Sequence, residues 1–154
     1  MNLSTHFTLE EALFSETAIR KNISNKPSDV QLKNMIEAAK SMEIVRNILG
    51  DKSIKVSSWL RVNKLNFVIG GASSSAHING FAIDFTCPDF GSPYEICKKL
   101  SESTLKYDQI IHEFGSWCHI SFDPKMRRED LTIFQPRKVY ALEILTLDEY
   151  KKKV

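Results

Sequence analysis

The sequence predicts an α+β fold, in which a small and mostly antiparallel sheet packs against helices in one domain. Three observations lead to this prediction. The chain has 154 residues, of which 42% are hydrophobic and 26% are charged, as in one ordinary globular domain. Residues 28–50 have the apolar spacing of a long helix. Short alternating segments follow, with one helical segment among them, and this order is typical of α+β proteins.

The predicted helices begin at residues that cap helix N-termini. Thr8 followed by Glu11, and Ser28 followed by Gln31, both fit the spacing of a capping box. Ser92 combines the same cap with Pro93 at the first helical position and Glu95 at the third. The long helix is expected to end at Gly50, since glycine favours the backbone conformation found just past a helix. The predicted helices are a short one that ends at residue 13, the long one over 28–50, a short one over 62–69, one from 92 to about 101, and a short Lys-rich one after residue 146.

The predicted strands alternate apolar and polar residues between turn-forming residues. They cover residues 53–59, 80–86, 107–114, 116–122 and 138–145. The third and fourth are expected to form a hairpin about Gly115. In the second strand, Asp84 lies on the opposite face from Phe81, Ile83 and Phe85. A carboxylate among apolar residues is costly to bury unpaired, so the pattern predicts a metal ion or a basic partner for Asp84.

Composition argues against several classes of protein. The net charge of +2 is too small to predict nucleic-acid binding, and the lysines at 151–153 form a short solvated tail. Cys87, Cys97 and Cys118 are an odd number without a closely spaced pair, which argues against a disulfide framework and a cysteine zinc site. Residues 1–13 have the features of neither a signal peptide nor a membrane span, so we expect synthesis in a host cytoplasm without membrane insertion.

Three residues are candidate ligands of a metal ion: His77, Asp84 and His119. A catalytic zinc ion takes three protein ligands, commonly His, Asp or Glu, and keeps one position for water. His77 follows a loop of small residues, and Gly80 allows a sharp turn between it and the strand that carries Asp84. A histidine taken alone is more often a packed or surface residue than a ligand, and Asp84 could instead pair with Arg61. The joint placement of the three residues is what predicts a zinc site.

Glu113 is the candidate general base. Trp117, His119 and Ser121 share one face of their strand, and a turn centred on Ser116 would place Glu113 opposite His119 on that face. A carboxylate beside zinc can take a proton from water and pass it to the leaving group. The alternative is that Glu113 is an exposed hairpin residue.

Two motifs and several shorter stretches resemble a known family. The motifs are Ser75-x-His77-x-x-Gly80-x-Ala82-x-Asp84 and Trp117-x-His119-x-Ser121. The shorter stretches are Leu3-Ser4-x-His6-Phe7-Thr8-Leu9-x-Glu11, Asn25-x-Pro27, Val45-Arg46-x-x-Leu49-Gly50 and Val56-Ser57-Ser58-x-x-Arg61. Together they resemble the zinc D-alanyl-D-alanine carboxypeptidases and related peptidoglycan endopeptidases, which have the hedgehog/DD-peptidase fold. The resemblance is greatest to the phage branch, whose members are often endolysins, and it covers about residues 3–130.

The resemblance implies a zinc ion held by His77, Asp84 and His119. It also implies that Glu113 is the catalytic base, six residues before the last ligand. Other members carry the acid three residues before that histidine, where this chain has Ser116, which cannot serve.

The resemblance further implies that Arg61 and Ser75 meet the substrate. Arg61 would hold the substrate's carbonyl or carboxylate and stabilise the charge of the transition state, unless it is an ordinary surface or ion-pair arginine. Ser75 would contact substrate or merely cap its loop. This chain has Trp59-Leu60 where the family commonly has Gly-Tyr before the arginine, so we expect an altered wall of the cleft.

The expected function is hydrolysis of peptide bonds in peptidoglycan stem peptides by a single zinc peptidase domain over residues 1–154, with 137–154 as a C-terminal extension. The enzyme would be an endolysin-like endopeptidase or a D,D-carboxypeptidase. It would act at the cell wall, delivered through a holin or carried in a virion, with no nucleic-acid partner. The alternative is a catalytically silent wall-binding or virion structural module of the same fold.

Overall fold

The computed structural model describes residues 1–135 and 139–153. Within these ranges the helices are α1 (Leu9–Leu13), α2 (Glu16–Arg20), α3 (Asp29–Ile48), α4 (Asn63–Ile69), α5 (Ala76–Asn79), α6 (Pro93–Ser101) and α7 (Leu147–Lys153). The strands are β1 (Lys55–Ser58), β2 (Ala82–Thr86), β3 (Gln109–Glu113), β4 (Trp117–Ser121), β5 (Glu129–Phe134) and β6 (Val139–Ala141). In these same ranges, no helix is both long and apolar enough to cross a lipid bilayer.

The strands form one sheet in the order β1-β2-β4-β3-β5-β6. Every neighbouring pair is antiparallel except β3 and β5, which run parallel. This mostly antiparallel sheet, packed against helices, confirms the predicted α+β fold.

The predicted N-caps are present, with complete capping boxes at Ser28 and Ser92, while at α1 the Thr8 hydroxyl accepts from the Glu11 N–H at 3.2 Å without the reciprocal bond. The Ser28 hydroxyl accepts from the Gln31 N–H at 3.2 Å, and the Gln31 side chain accepts from the Ser28 N–H at 2.8 Å, so α3 begins with a complete capping box. Ser92 and Glu95 make the same reciprocal pair at the start of α6. These bonds satisfy backbone N–H groups that have no partner within the helix. All five predicted helices are confirmed, with small shifts at their ends.

Three elements were not predicted, and one predicted strand is shorter than expected. Helices α2 and α5 have five and four residues, too few to show a helical period. Strand β5 is the third such element. The strand predicted at 138–145 ends at Ala141, and its first residue lies outside the described residues. Past Ala141 the Thr132 hydroxyl donates to the Glu143 carbonyl and accepts from the Leu145 N–H, which draws this segment out of the sheet.

The two faces of the sheet have different roles. One face packs against α3 and α6 in a core that includes Met35, Met42, Ile83, Phe85, Ile96, Leu100, Ile110, Cys118 and Ile120. Because side chains alternate along a strand, the neighbouring residues of the central strands point to the other face. Asp84, His119 and Glu113 lie there, so the alternation that builds the core also collects the polar side chains.

Gly80 connects α5 to β2 in a left-handed conformation, with φ of +84°. A Cβ atom on Gly80 would lie 2.7 Å from Met35 Cγ and 3.0 Å from the Gln31 carbonyl oxygen. Helix α3 therefore packs directly against the turn between His77 and Asp84. Both the backbone conformation and this close approach require glycine.

We expect Gly80→Ala to lower the free energy of unfolding by about 2–4 kcal/mol, from left-handed strain and overpacking against α3. Gly70→Ala is the matched control, because Gly70 also has φ of +84° but a Cβ there meets no atom within 4 Å. That variant should lose only about 1–2 kcal/mol. Urea unfolding followed by circular dichroism measures both losses. Equal losses would contradict the close packing of α3 on Gly80.

Candidate metal centre

His77 is held in one orientation by backbone and capping groups. It lies in the one-turn helix α5, rather than in a loop, and the N-cap hydroxyl of Ser75 accepts from the His77 N–H at 3.2 Å. Nδ1 of His77 lies 2.6 Å from the carbonyl oxygen of Trp59, so this nitrogen carries a proton and donates it. Nε2 then points at Asp84, 3.3 Å from Oδ2. Histidine ligands of metal ions are commonly oriented in this way.

Asp84 and His119 lie directly opposite each other on the neighbouring strands β2 and β4. Oδ1 of Asp84 is 2.8 Å from Nδ1 of His119, while Oδ2 faces His77. All three residues are buried, and one donor atom from each lies within 4.8 Å of the others. The structure thus brings together at one point the three candidate ligands predicted from the sequence.

The charges of this cluster suit a cation. Burial alone would raise the pKa of Asp84, but His77 and His119 beside it hold that pKa well below its usual range, so the carboxylate is charged. Burial lowers the pKa of His77, which favours the neutral imidazole. Burial also disfavours protonation of His119, but the hydrogen bond to Asp84 outweighs it and raises the pKa. Metal binding would displace the proton that His119 shares with Asp84.

The donor set fits zinc better than other common metal ions. Two imidazole nitrogens and one carboxylate oxygen make a typical catalytic zinc site with one open position. Calcium and magnesium prefer sites built mainly from oxygen ligands. In the part of the chain that the structure describes, His77, Asp84 and His119 form the only such convergence of potential metal ligands.

Glu113 lies beside the cluster, and the hairpin turns about Gly115 as predicted rather than in the Ser116-centred register that would set Glu113 directly opposite His119. Glu113 pairs with Trp117 in the hairpin, and His119 pairs with Ile111, so the turn centres on Gly115. Glu113 is therefore diagonal to His119 on the same face, with Oε1 3.5 Å from Nδ1. Burial raises the pKa of Glu113, although the nearby charge of His119 acts to lower it. A carboxylate with a raised pKa suits a group that takes up and returns a proton.

Arg61 contacts the same cluster. Its Nη2 lies 3.4 Å from Oδ2 of Asp84, its Nε donates to Ser58 Oγ at 3.3 Å, and its backbone N–H donates to the His77 carbonyl at 3.1 Å. The Arg61 side chain as a whole is 16% exposed. The sequence left open whether Asp84 faces a metal or an arginine, and the structure places Arg61 and both histidines around it together.

Trp59 and Leu60 are the pair expected to alter a wall of the cleft, and the structure gives the two residues different roles. Trp59 is 1% exposed, and its indole N–H donates to the Gly80 carbonyl at 2.9 Å. Its own carbonyl oxygen orients His77. Leu60 lines a groove next to the site. The sequence offered no signal for the contribution of Trp59, because a backbone atom makes it.

Trp117 belongs to the site, although the sequence reasoning gave it no role. It faces Glu113 across the hairpin and packs edge-to-face on Phe114, with ring centroids 5.6 Å apart. The indole N–H of Trp117 is buried and forms no hydrogen bond of normal geometry. Its position two residues before His119 was the available signal, since both then share a strand face.

The other two histidines and Cys118 lie outside the site. Nδ1 of His6 is 2.6 Å from Oε1 of Glu43 in an exposed pair. His112 points away from Glu113 and packs against Tyr94, with ring centroids 5.9 Å apart. Cys118 is buried in the core, as predicted.

A His–Asp–His cluster beside a buried glutamate, on one face of a mostly antiparallel sheet, is the arrangement of a metal-dependent hydrolase. A family model described as Peptidase M15 matches residues 5–121. The chain therefore belongs to the M15 family of zinc peptidases, which confirms the resemblance seen in its motifs. The matched region contains Arg61, Ser75, the three cluster residues and Glu113. No curated protein matches the chain.

Proposed function

We propose that this peptidase uses zinc to hydrolyse peptide bonds in the stem peptides of peptidoglycan, as an endolysin-like endopeptidase or as a D,D-carboxypeptidase. The convergence of His77, Asp84 and His119 next to Glu113 carries this proposal. Membership of the M15 family supports peptide hydrolysis as the reaction. The resemblance of the motifs to phage endolysins supports peptidoglycan as the substrate.

Three side chains would hold the zinc ion. They are His77 through Nε2, the carboxylate of Asp84, and His119 through Nδ1, the nitrogen that faces Asp84. A zinc ion bound in this way makes water acidic enough to act as a nucleophile near neutral pH and polarises a substrate carbonyl.

Glu113 is the proposed general base and acid. It accepts a proton from the attacking water and delivers it to the amine nitrogen as the peptide C–N bond breaks. Its buried position favours this role, because burial raises the pKa and so reduces the cost of holding the proton between the two steps.

Arg61 and Ser75 are the proposed substrate contacts. Arg61 is only partly buried, and its guanidinium stabilises negative charge on the carbonyl oxygen as it develops. Asp84 already shares this guanidinium, which fixes its direction. The Ser75 hydroxyl accepts from the His77 N–H, so its own proton is left for a substrate oxygen.

We also propose that the protein acts at the bacterial cell wall, either after release from a host cytoplasm or as part of a virion. The phage-like motifs support this placement, and a net charge of +2 permits a weak attraction to an anionic wall.

The test combines metal analysis with a digest of purified peptidoglycan. Protein purified without chelator should hold about one zinc ion per chain and release stem-peptide fragments that mass spectrometry identifies. Removal of the metal should abolish the release, and added Zn²⁺ should restore it. Protein that binds no zinc and releases nothing when zinc is supplied would contradict the proposal and support a silent wall-binding module.

A further inference from the structure

Two grooves meet at the candidate metal centre. The first has a volume of about 490 Å³, lies over β1 and reaches Asp84. The second has a volume of about 470 Å³, lies over β3 and β5, and contains His77, His119 and Glu113. Strands β2 and β4, which carry Asp84 and His119, lie between β1 and β3 in the sheet. The grooves therefore leave the centre in opposite directions.

The junction of the grooves is formed by three residues that line both of them: Arg61, Ile69 and Trp117. Arg61 touches Asp84 and Trp117 faces Glu113, so the junction lies at the proposed reacting groups. A chain that passes from one groove to the other must cross this point.

The first groove continues away from the centre. A further depression of about 660 Å³ shares Phe14 and Ser15 with it and extends along α2 to the segment 22–26. Each groove alone has the size of a small-ligand pocket, which is more than one terminal amino acid needs. The combined surface suits an extended peptide with several residues on one side of the centre.

Neither groove has the charges that a terminal carboxylate needs. Among the described residues that line the first groove, Arg61 is the only lysine or arginine, and Asp84 and Ser58 already bind it. In the second groove, Arg127 makes a two-point ion pair with Asp108, with distances of 2.9 Å each. Lys125, which also lines this groove, is exposed, so water and salt screen its charge. A terminal carboxylate is bound most strongly by a cation that is free to make charge-assisted hydrogen bonds to it.

We infer that this peptidase cuts internal bonds, in a stem peptide that occupies both grooves and continues past the reacting bond on each side. The inference rests on the proposed function and chooses between its two forms. One water molecule adds across the C–N bond, which leaves a new carboxylate on one fragment and a new amine on the other, and no further reactant is needed. In this arrangement Arg61 meets a backbone carbonyl rather than a terminal carboxylate.

A matched pair of synthetic stem peptides tests the inference. One ends in a free D-alanyl-D-alanine carboxylate. The other is acetylated at its N-terminus and carries three extra residues and an amide at its C-terminus. The zinc-loaded protein should cut the blocked peptide at an internal bond at least as fast as the free one, as measured by mass spectrometry. Release of the terminal D-alanine from the free peptide, with no cleavage of the blocked one, would overturn the inference and leave the zinc peptidase intact.

Variants that fill each groove give an independent readout. Thr17 lines the first groove and Lys125 lines the second. Thr17→Trp and Lys125→Trp should each lower kcat/KM for the blocked peptide by about tenfold or more, since both grooves hold substrate. Lys33→Trp, on an exposed position of α3 outside both grooves, is the control and should change nothing.

The outcomes distinguish a failure of the two-groove inference from a failure of the proposed peptidase function. A loss caused by only one of the two groove variants would overturn the inference, because a single groove would then suffice. A zinc-loaded protein that cuts neither peptide, nor intact peptidoglycan, would overturn the proposed function and the inference with it.

Discussion

The variant Glu113→Gln is expected to lose about 10²–10⁴-fold in kcat, the usual contribution of a positioned proton-transfer group. Glutamine keeps the size and hydrogen-bonding reach of the side chain but cannot take up a proton from water. Zinc content should stay the same, because Glu113 lies diagonal to His119 and outside the three-residue cluster. Single-turnover hydrolysis of a stem peptide and metal analysis on the same sample measure the two effects.

The matched control for this variant is Glu37→Gln. Glu37 pairs with Lys40 on the exposed face of α3, so the same chemical change there should leave hydrolysis unaltered. Full activity in Glu113→Gln would show that another group moves the proton. Loss of zinc in Glu113→Gln would instead assign Glu113 to the metal.

The variant His77→Ala is expected to weaken zinc binding by more than about 100-fold, since loss of a partner outside the ligand set already costs about 10–100-fold. Hydrolysis should disappear with the metal. The fold should survive, because the His77 imidazole is not part of the hydrophobic core and is held by the Trp59 backbone carbonyl. Competition against a zinc-binding dye and circular dichroism measure affinity and fold.

His112→Ala separates the loss of a buried ring from the loss of a ligand. His112 is also a buried histidine of the sheet, but it lies on the opposite face from Glu113. Its variant should lose stability, through a cavity beside Tyr94, and keep zinc affinity. Unchanged zinc affinity in His77→Ala would remove this residue from the proposed ligand set.

The sequence predicted well what depends on neighbours along the chain. The capping pairs at Ser28 and Ser92 are local hydrogen bonds, so their residues identify helix starts directly. Strand alternation is local too, and it put Asp84 on the opposite face of its strand from the apolar residues and His119 on the same face as Trp117. The shared face of Glu113 and His119 depended in addition on where the hairpin turns. The convergence of Asp84 with these two residues follows from the pairing of β2 with β4.

The register of the hairpin could not be predicted from the same signals. Phe114 and Gly115 have φ of +55° and +67°, and the Ser116 N–H donates to the Glu113 carbonyl at 2.9 Å. This turn places a phenylalanine in the left-handed region, where residues other than glycine are uncommon. The residue types indicated a hairpin about Gly115 but left its strand pairing open, and a turn centred on Ser116 would have set Glu113 directly opposite His119.

The full set of groups that contact Asp84 could not be predicted from the sequence either. Reasoning from residues offered a metal or Arg61 as its partner, as if one excluded the other. A carboxylate has two oxygens and several acceptor positions, so Asp84 faces His119 through Oδ1 and both His77 and Arg61 through Oδ2. Only the fold shows that all these groups reach one point.

Strand β5 gives the C-terminal part of the chain a role that its sequence did not suggest. It lies beyond residue 121, where the family match ends, yet it pairs in parallel with every residue of β3, and Ile133 is the partner of Glu113. Without β5, the strand that carries Glu113 would be an open edge, free to join the sheet of another molecule. A truncated domain prepared for fusion to a new wall-targeting domain must therefore extend well past the matched region. If it ends near residue 121, the exposed edge of β3 will promote aggregation.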